Sequence, residues 1–166
     1  MLDVLARTEQ ELPQLLSEPG WHSLDIDYHP PRVERIWRQR GDYRISLHRI
    51  HTCAAEQALF HPHPWPSAMR VLAGKYEMAV GYGAGLIAPP IAARLIADSG
   101  LVYEMTDPDA WHYVRPLSEH ALTVMVTGRP WDRVAPEAPS GPLKPLGVDH
   151  FADLMRAFRR FYSFSA

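Results

Sequence analysis

Prolines and glycines are spread along most of this chain, and their distribution limits how it can fold. There are 16 prolines and 10 glycines among 166 residues, and they are not gathered into one tract. Both residue types interrupt regular elements and favour turns, so the pattern predicts many short strands. The predicted strands are 43–52, 69–73, 76–82, 92–96, 101–105, 112–116 and 121–127. Short strands at this spacing indicate an all-β sandwich or barrel.

Helical patterns occur only near the two ends of the chain. Residues 2–18 carry leucines at helical spacing, and Pro13 must either kink this helix or begin a second segment. Residues 149–163 form one apolar stripe behind Asp149, which fits an N-cap. Residues 133–147 are rich in proline, alanine and glycine, and we expect a coil there. The sequence therefore predicts a single domain over 1–166, with a barrel at about 36–130.

Composition and charge exclude several classes of partner. Hydrophobic residues make up 46% of the chain and charged residues 22%, so it can bury a substantial core. The formal net charge is -2 without a block of like charges, which argues against nucleic acid as a partner. No apolar run is long enough to span a bilayer and no signal-peptide pattern opens the chain, so we expect no membrane partner and a cytoplasmic location. Cys53 is the single cysteine, so any metal must be held by nitrogen and oxygen atoms.

Two histidines one residue apart are the clearest sign of chemistry in the sequence. On an extended strand, residues i and i+2 point to the same face, so His61 and His63 can direct their rings at one ion. Another isolated histidine, His112, follows well downstream. This pattern predicts a metal site.

The segment around these histidines resembles the cupin superfamily. The first cupin motif is a His-x-His pair, then a glutamate, then a glycine at the turn into the next strand; His61, His63 and Gly74 fall on that pattern. The second motif, a turn that leads into a histidine, is matched more loosely by residues 107–112, which end at His112. Both motifs in this order are more specific than a histidine pair alone. The resemblance covers roughly residues 43–127 and implies a double-stranded β-helix, the jelly-roll barrel of cupins, with short helices at the N-terminal and C-terminal ends.

One position of the first motif departs from the family pattern. Ser67, or Ala68 with the longer spacing, stands where the family has its glutamate ligand, so the common site of three histidines and one glutamate is excluded. Two interpretations remain. In one, His61, His63 and His112 hold one divalent transition metal (iron, zinc, nickel or copper) and leave coordination positions open to water or substrate. In the other, the site has decayed and the barrel binds a small ligand or serves as an interaction module.

A three-histidine site is similar to that of the cysteine dioxygenases and related thiol dioxygenases, which are cupins with a non-haem ferrous ion. That resemblance implies an oxidoreductase that uses dioxygen on a small thiol or carboxylate. The match is incomplete, because the Ser-x-His-x-Tyr relay of those enzymes is represented by Ser118 and His120 with Leu122 in place of the tyrosine. The alternative is a cupin that binds or senses a small ligand without turning it over. Catalytic side chains stay unassigned, and the family resemblance implies a homodimer.

Five residues are predicted to line a substrate pocket beside the metal. The strand at 43–52 alternates between two phases, and the phase that contains Arg49 and His51 is predicted to face the barrel interior. A buried Arg49 needs a carboxylate, either from a substrate or from an internal ion pair; alternatively, its side chain reaches out at the barrel mouth. His51 fits substrate contact or a hydrogen bond that supports a ligand. Trp65, Ser67 and Met69 follow the histidine pair and are predicted to line the same pocket, with simple packing as the alternative for Trp65.

Overall fold

A computed structural model of the chain describes residues 1–132 and 142–163, which form two helices and ten strands. Helix α1 spans Leu2–Leu15 and helix α2 spans Val148–Phe161. The strands are β1 His22–Ile26, β2 Val33–Arg40, β3 Tyr43–His51, β4 His61–Pro62, β5 Ser67–Ala73, β6 Tyr76–Tyr82, β7 Ala93–Ala97, β8 Val102–Met105, β9 Ala110–Pro116 and β10 His120–Thr127. A 3-10 turn at Ala55–Gln57 precedes β4.

The strands form two antiparallel sheets that pack face to face. The larger sheet has the order β1-β2-β3-β10-β5-β8, and the smaller has the order β4-β9-β6-β7. Strands far apart in the chain, such as β3 and β10, are neighbours, which is the arrangement of a jelly roll. The predicted fold class, all-β with a helix near each end, is confirmed. The two sheets stay separate and do not close into one hydrogen-bonded barrel.

Strands β1 and β2 precede the first strand that the sequence predicts. Charged residues occupy both phases of β2, with Glu34 on one and Arg35 on the other, so the usual alternation of polar and apolar residues is obscured. Pairing with β3 fixes which side chains of β2 are buried, since Ile36 lies opposite Leu47 in the antiparallel register. The strand is therefore specified by its neighbour more than by its own sequence.

The larger sheet buries apolar side chains on both of its faces. On one face, Leu47 of β3 belongs to a cluster with Leu12 of α1 and Phe158 of α2. On the other face, Val71 of β5 packs with Tyr76 of β6, so this face meets the smaller sheet. The terminal helices thus cover the outer face of the larger sheet, and the inner face bounds the space between the sheets.

The two phases of β3 are placed opposite to the prediction. The phase of Leu47, Arg49 and His51 faces the helices, whereas Ser46 and His48 face the smaller sheet. The prediction assumed that the more apolar phase lines the inside of a barrel. Here the helices cover the outer face, so the more apolar phase lies outside and the more polar phase lies inside.

Both helices run close to their predicted bounds, with two local differences. Helix α1 continues through Pro13 without a second segment. Helix α2 has Gly147 as its N-cap, so Asp149 lies in the first turn. A negative charge there still interacts favourably with the helix dipole. Neither helix in the described part of the chain is long and apolar enough to cross a membrane. Residues 133–141 of the predicted coil lie outside the described residues.

The turn between β5 and β6 requires a glycine. Gly74 has a φ of 73°, in the left-handed region that L side chains rarely adopt. A Cβ at this position would also collide with the carbonyl oxygen of His120 and would lie 2.7 Å from Oγ of Ser118. Both the dihedral and the lack of space therefore account for the glycine that the cupin resemblance places here.

Candidate metal centre

Two short stretches of the chain bring three histidine side chains together on the smaller sheet. Strands β4 and β9 pair with His61 directly opposite His112, and His63 directly follows β4. The Nε2 atoms of His63 and His112 lie 2.8 Å apart. One ring nitrogen from each of the three residues lies within 4.8 Å of the other two, so the group could hold a metal ion.

Burial keeps these three imidazoles neutral. Removal from water lowers the pKa of His61, lowers the pKa of His63 to about 3, and lowers the pKa of His112 well below its usual value. Electrostatic repulsion from neighbouring rings acts in the same direction on His63 and His112. A neutral imidazole keeps one nitrogen lone pair free, which is the form that coordinates a metal.

The Nδ1 contacts of His61 and His63 indicate which ring nitrogen is available in each, whereas Nδ1 of His112 has no such contact among the described residues. Nδ1 of His61 donates to the carbonyl oxygen of Leu59 at 2.9 Å, which leaves the lone pair on Nε2. Nδ1 of His63 lies 3.5 Å from Oγ of Ser67, while its Nε2 faces His112. Nδ1 of His112 is buried without a hydrogen-bond partner among the described residues, so packing and the contact with His63 orient that ring.

The donor set fits a first-row transition metal. Neutral imidazoles suit iron, zinc, nickel and copper. In the described part of the chain, no aspartate, glutamate or cysteine belongs to the group. Three protein ligands leave coordination positions open, whereas a structural zinc site is closed by four. The arrangement is therefore one that can combine a metal with an exchangeable ligand.

The predicted pocket residues after the histidine pair lie on the same side of the fold. Ser67 contacts the distal nitrogen of His63 and is buried, so its hydroxyl supports a ring and does not replace the missing carboxylate. The ring of Trp65 lies 6.4 Å from the ring of His63, measured between centroids. The sulfur of Met69 accepts a hydrogen bond from the hydroxyl of Tyr103 at 3.1 Å, within the space between the sheets.

Arg49 and His51 lie on the other side of the larger sheet, away from the histidine group. Arg49 donates to Glu34 at 3.0 Å and to Asp153 of α2 at 2.7 Å. Nε2 of His51 lies 3.6 Å from the Glu34 carboxylate, which also accepts a 2.7 Å hydrogen bond from His150. Glu34 is only 1% exposed. Of the alternatives for Arg49, the structure thus has the internal ion pair, and the cluster links α2 to the sheet.

Two further residues, which were not predicted as site residues, lie on the inner face of the larger sheet. Nε of Arg35 donates to Nε2 of His48 at 2.9 Å, and Nδ1 of His48 lies 3.3 Å from the hydroxyl of Thr123. The positive charge of Arg35 is close enough to lower the pKa of both His61 and His63. The sequence feature that could have identified them is the polar phase of β3. This phase faces inward because the helices cover the other face of the sheet.

Comparison with solved structures finds several proteins of similar fold. Hydroxypropylphosphonic acid epoxidase from S. wedmorenis has a TM-score of 0.51 and 14% identity, covering 64% of this chain and 55% of that one. FeII HppE in complex with substrate has a TM-score of 0.51 and 15% identity, covering 69% of this chain and 57% of that one. AerE from Microcystis aeruginosa has a TM-score of 0.50 and 20% identity, covering 66% of this chain and 46% of that one.

These similarities concern the fold. The matched part of this chain spans about half the length of each of these proteins. No protein-family model matches the sequence, and no curated protein matches it. Together with the two antiparallel sheets and the terminal helices, the structural neighbours show that this chain has the cupin fold.

Proposed function

We propose that His61, His63 and His112 bind one divalent transition metal and that the protein is a metal-dependent oxidoreductase that acts on a small organic molecule. Iron is the proposed metal, and dioxygen is the proposed oxidant for a small thiol or carboxylate. The observation that carries the proposal is the meeting of three neutral imidazoles, two of them partly buried and that of His112 fully buried, in one group that includes no carboxylate of the described chain.

The charge of such a site favours an anionic substrate group. Three neutral ligands leave the two positive charges of the metal uncompensated. A fourth, protein-derived carboxylate would reduce that charge, but Ser67 stands at the position where other cupins have it and contacts His63 instead. A carboxylate or thiolate brought by the substrate can therefore complete the set of ligands.

The structural neighbours support the choice of iron. One protein of similar fold, FeII HppE in complex with substrate, combines ferrous iron with a bound substrate. A ferrous ion on three imidazoles would supply one-electron redox chemistry and open coordination positions. The chain's own residues would hold the rings in place, through the Leu59 carbonyl at His61 and the Ser67 hydroxyl at His63.

Metal analysis of protein purified under gentle conditions tests the site. We expect about one equivalent of transition metal per chain. The variants His61→Ala and His112→Ala should lose it, whereas His120→Ala, which removes an imidazole outside the group, should retain it. Absence of metal after reconstitution with ferrous iron, or unchanged metal content in both ligand variants, would overturn the proposal.

Oxygen consumption by the ferrous form separates an enzyme from a ligand-binding cupin. The substrates to test are small thiols and small carboxylates, with His61→Ala as the control that lacks a ligand. Uptake that depends on His61 supports catalysis. Metal binding without uptake favours the alternative, a cupin that binds or senses a small ligand. The single domain over 1–166, the homodimer, the cytoplasmic location and the absence of nucleic-acid and membrane partners stay predictions.

A further inference from the structure

A row of side chains crosses the inner face of the larger sheet. In the register of the strands, Arg35 of β2 lies opposite His48 of β3, and His48 lies opposite Thr123 of β10. Thr123 in turn lies opposite Val71 of β5, which packs against Tyr76 of the smaller sheet. The row therefore faces the space between the sheets, which the three-histidine group also borders.

His48 fixes the position of the Arg35 guanidinium. Nε of Arg35 donates to Nε2 of His48 at 2.9 Å, so the proton of the neutral imidazole lies on Nδ1, which faces the hydroxyl of Thr123 at 3.3 Å. His48 is only 3% exposed, and burial together with the charge of Arg35 lowers its pKa well below the usual value. A guanidinium held through Nε keeps its two terminal nitrogens for another partner.

Arg35 has no carboxylate partner within the described part of the chain. Other arginines on or next to the larger sheet each form an ion pair with an acidic side chain: Arg32 just before β2, and Arg38, Arg40, Arg49 and Arg70 within the strands. Burial lowers the pKa of Arg35 to about 10, so the side chain still carries its charge at neutral pH. A charge withdrawn from water without a counter-charge is costly, and a bound anion would remove that cost.

A second guanidinium adds positive charge to the same face. Arg44 lies over the ring of Trp37 at 4.5 Å, and its charge contributes to the lowered pKa of Arg35. Among the described residues, Arg44 also forms no ion pair with an acid. Nε1 of Trp37 and Oγ of Ser46 lie on this face, buried and without hydrogen-bond partners in the described chain. The inner face thus offers positive charge and free hydrogen-bond donors, and no acidic side chain of the described residues pairs with either arginine.

Arg35 lies near the start of β2, and the turn that precedes this strand lies beside the candidate metal ligands. Tyr28 and His29 lie at the same end of the fold, with the ring of His29 6.3 Å from that of His61. Tyr28 is 48% exposed and packs edge-on against His29 at 4.5 Å, so this end of the space reaches the surface.

We propose that Arg35 binds the anionic group, a carboxylate or a phosphonate, of the small molecule that enters the three-histidine site. The planar guanidinium can donate from its two terminal nitrogens to two oxygens of such a group. His48 is a positioning residue that holds the guanidinium in this orientation. The inference rests on the proposed function, since it names the substrate class of that site.

Binding of small oxyanions to the intact chain tests the inference. The probes are acetate and methylphosphonate, with acetamide as the neutral control, titrated by NMR into apo-protein and into zinc-loaded protein. Arg35→Gln should weaken anion binding at least about 10-fold, because it removes a charged hydrogen-bond donor. Arg35→Lys should retain part of the affinity, because it keeps the charge but loses the planar fork. Arg40→Gln, on the same strand but exposed, should bind as the wild type does.

The outcomes separate this inference from the proposed function. Equal anion affinity in the wild type and in Arg35→Gln would overturn the inference, as would equal binding of acetamide and acetate. Metal content is measured on the same samples. Metal binding without Arg35-dependent anion binding refutes the inference alone, whereas Arg35-dependent anion binding in a protein that takes up no metal refutes the proposed function alone. The ratio of acetate to methylphosphonate affinity identifies the preferred anion, and Arg35→Lys keeps the test decisive if Arg35→Gln does not fold.

Discussion

The Nε2 atoms of His63 and His112 lie 2.8 Å apart, although β5, β6, β7 and β8 lie between them in the chain. The contact arises because the two-residue strand β4 pairs with β9 and places His61 opposite His112. The candidate metal centre therefore depends on strand pairing within the smaller sheet. Substitutions can test its ligands separately from the residues that hold the ligand rings in place.

Ser67→Ala should weaken metal binding much less than His63→Ala does. Ser67 contacts only Nδ1 of His63, and loss of such an outer contact lowers metal affinity by about 10-fold. His63→Ala removes a ligand, so we expect a loss of more than about 100-fold. Competition titration against a chelator measures both affinities. Equal losses in the two variants would mean that Ser67 itself is a ligand.

Gly74→Ala should destabilise the fold more than Gly41→Ala. Both glycines have a positive φ, but a Cβ at Gly74 would collide with the His120 carbonyl oxygen, whereas nothing lies within 4 Å of one at Gly41. We expect losses of about 3 kcal/mol at Gly74 and about 1 kcal/mol at Gly41 in the free energy of unfolding. Urea denaturation monitored by tryptophan fluorescence measures them. Similar losses at the two positions would show that the dihedral alone matters.

Glu34→Gln should lower the free energy of unfolding by about 3 kcal/mol at neutral pH, because it leaves Arg49 and its neighbours without their buried carboxylate. Burial raises the pKa of Glu34, but the hydrogen bond from His150 and the charge of Arg49 outweigh burial and hold the pKa below 4.5. A carboxyl group with a lowered folded pKa stabilises the fold above its unfolded pKa and loses that effect as the pH falls through the folded pKa.

The difference between the wild type and Glu34→Gln should therefore shrink as the pH falls below 4.5, the usual pKa of this group. Urea denaturation across a pH series measures it. Asp153→Asn is the matched control, since Asp153 is an exposed partner of the same Arg49 and its loss should amount to less than about 1 kcal/mol. A difference that does not change with pH would contradict the assignment of a charged Glu34.

Phe158→Ala should destabilise the protein by about 4 kcal/mol, because Phe158 is fully buried between α2 and the larger sheet. Phe161→Ala removes a ring from the same helix that is 46% exposed, and we expect less than about 1 kcal/mol. Thermal and urea denaturation measure both. A small effect at Phe158 would show that α2 is not an integral part of the core.

The fold class and the three histidines could be predicted from the sequence because local patterns specify them. Strands such as β6 have clear turns at their ends, and Gly74 marks a turn that only glycine fits. The pair His61 and His63 share a strand face by simple alternation. The placement of Arg49 could not be predicted in this way. The alternation of side chains along a strand assigns them to two faces but does not show which face lies inside.

The sequence by itself determined the all-β character, the terminal helices and the residue types that a metal can use. The tertiary structure decided which face of the larger sheet is internal, because α1 and α2 cover the side that contains Leu47. Arg49 therefore lies on the outer face, in an ion pair with Glu34, whereas Arg35 and His48 lie on the inner face, toward the space between the sheets. The physical reason is that the burial of a strand face depends on which element packs against it. The alternation of side chains along the strand does not specify that element.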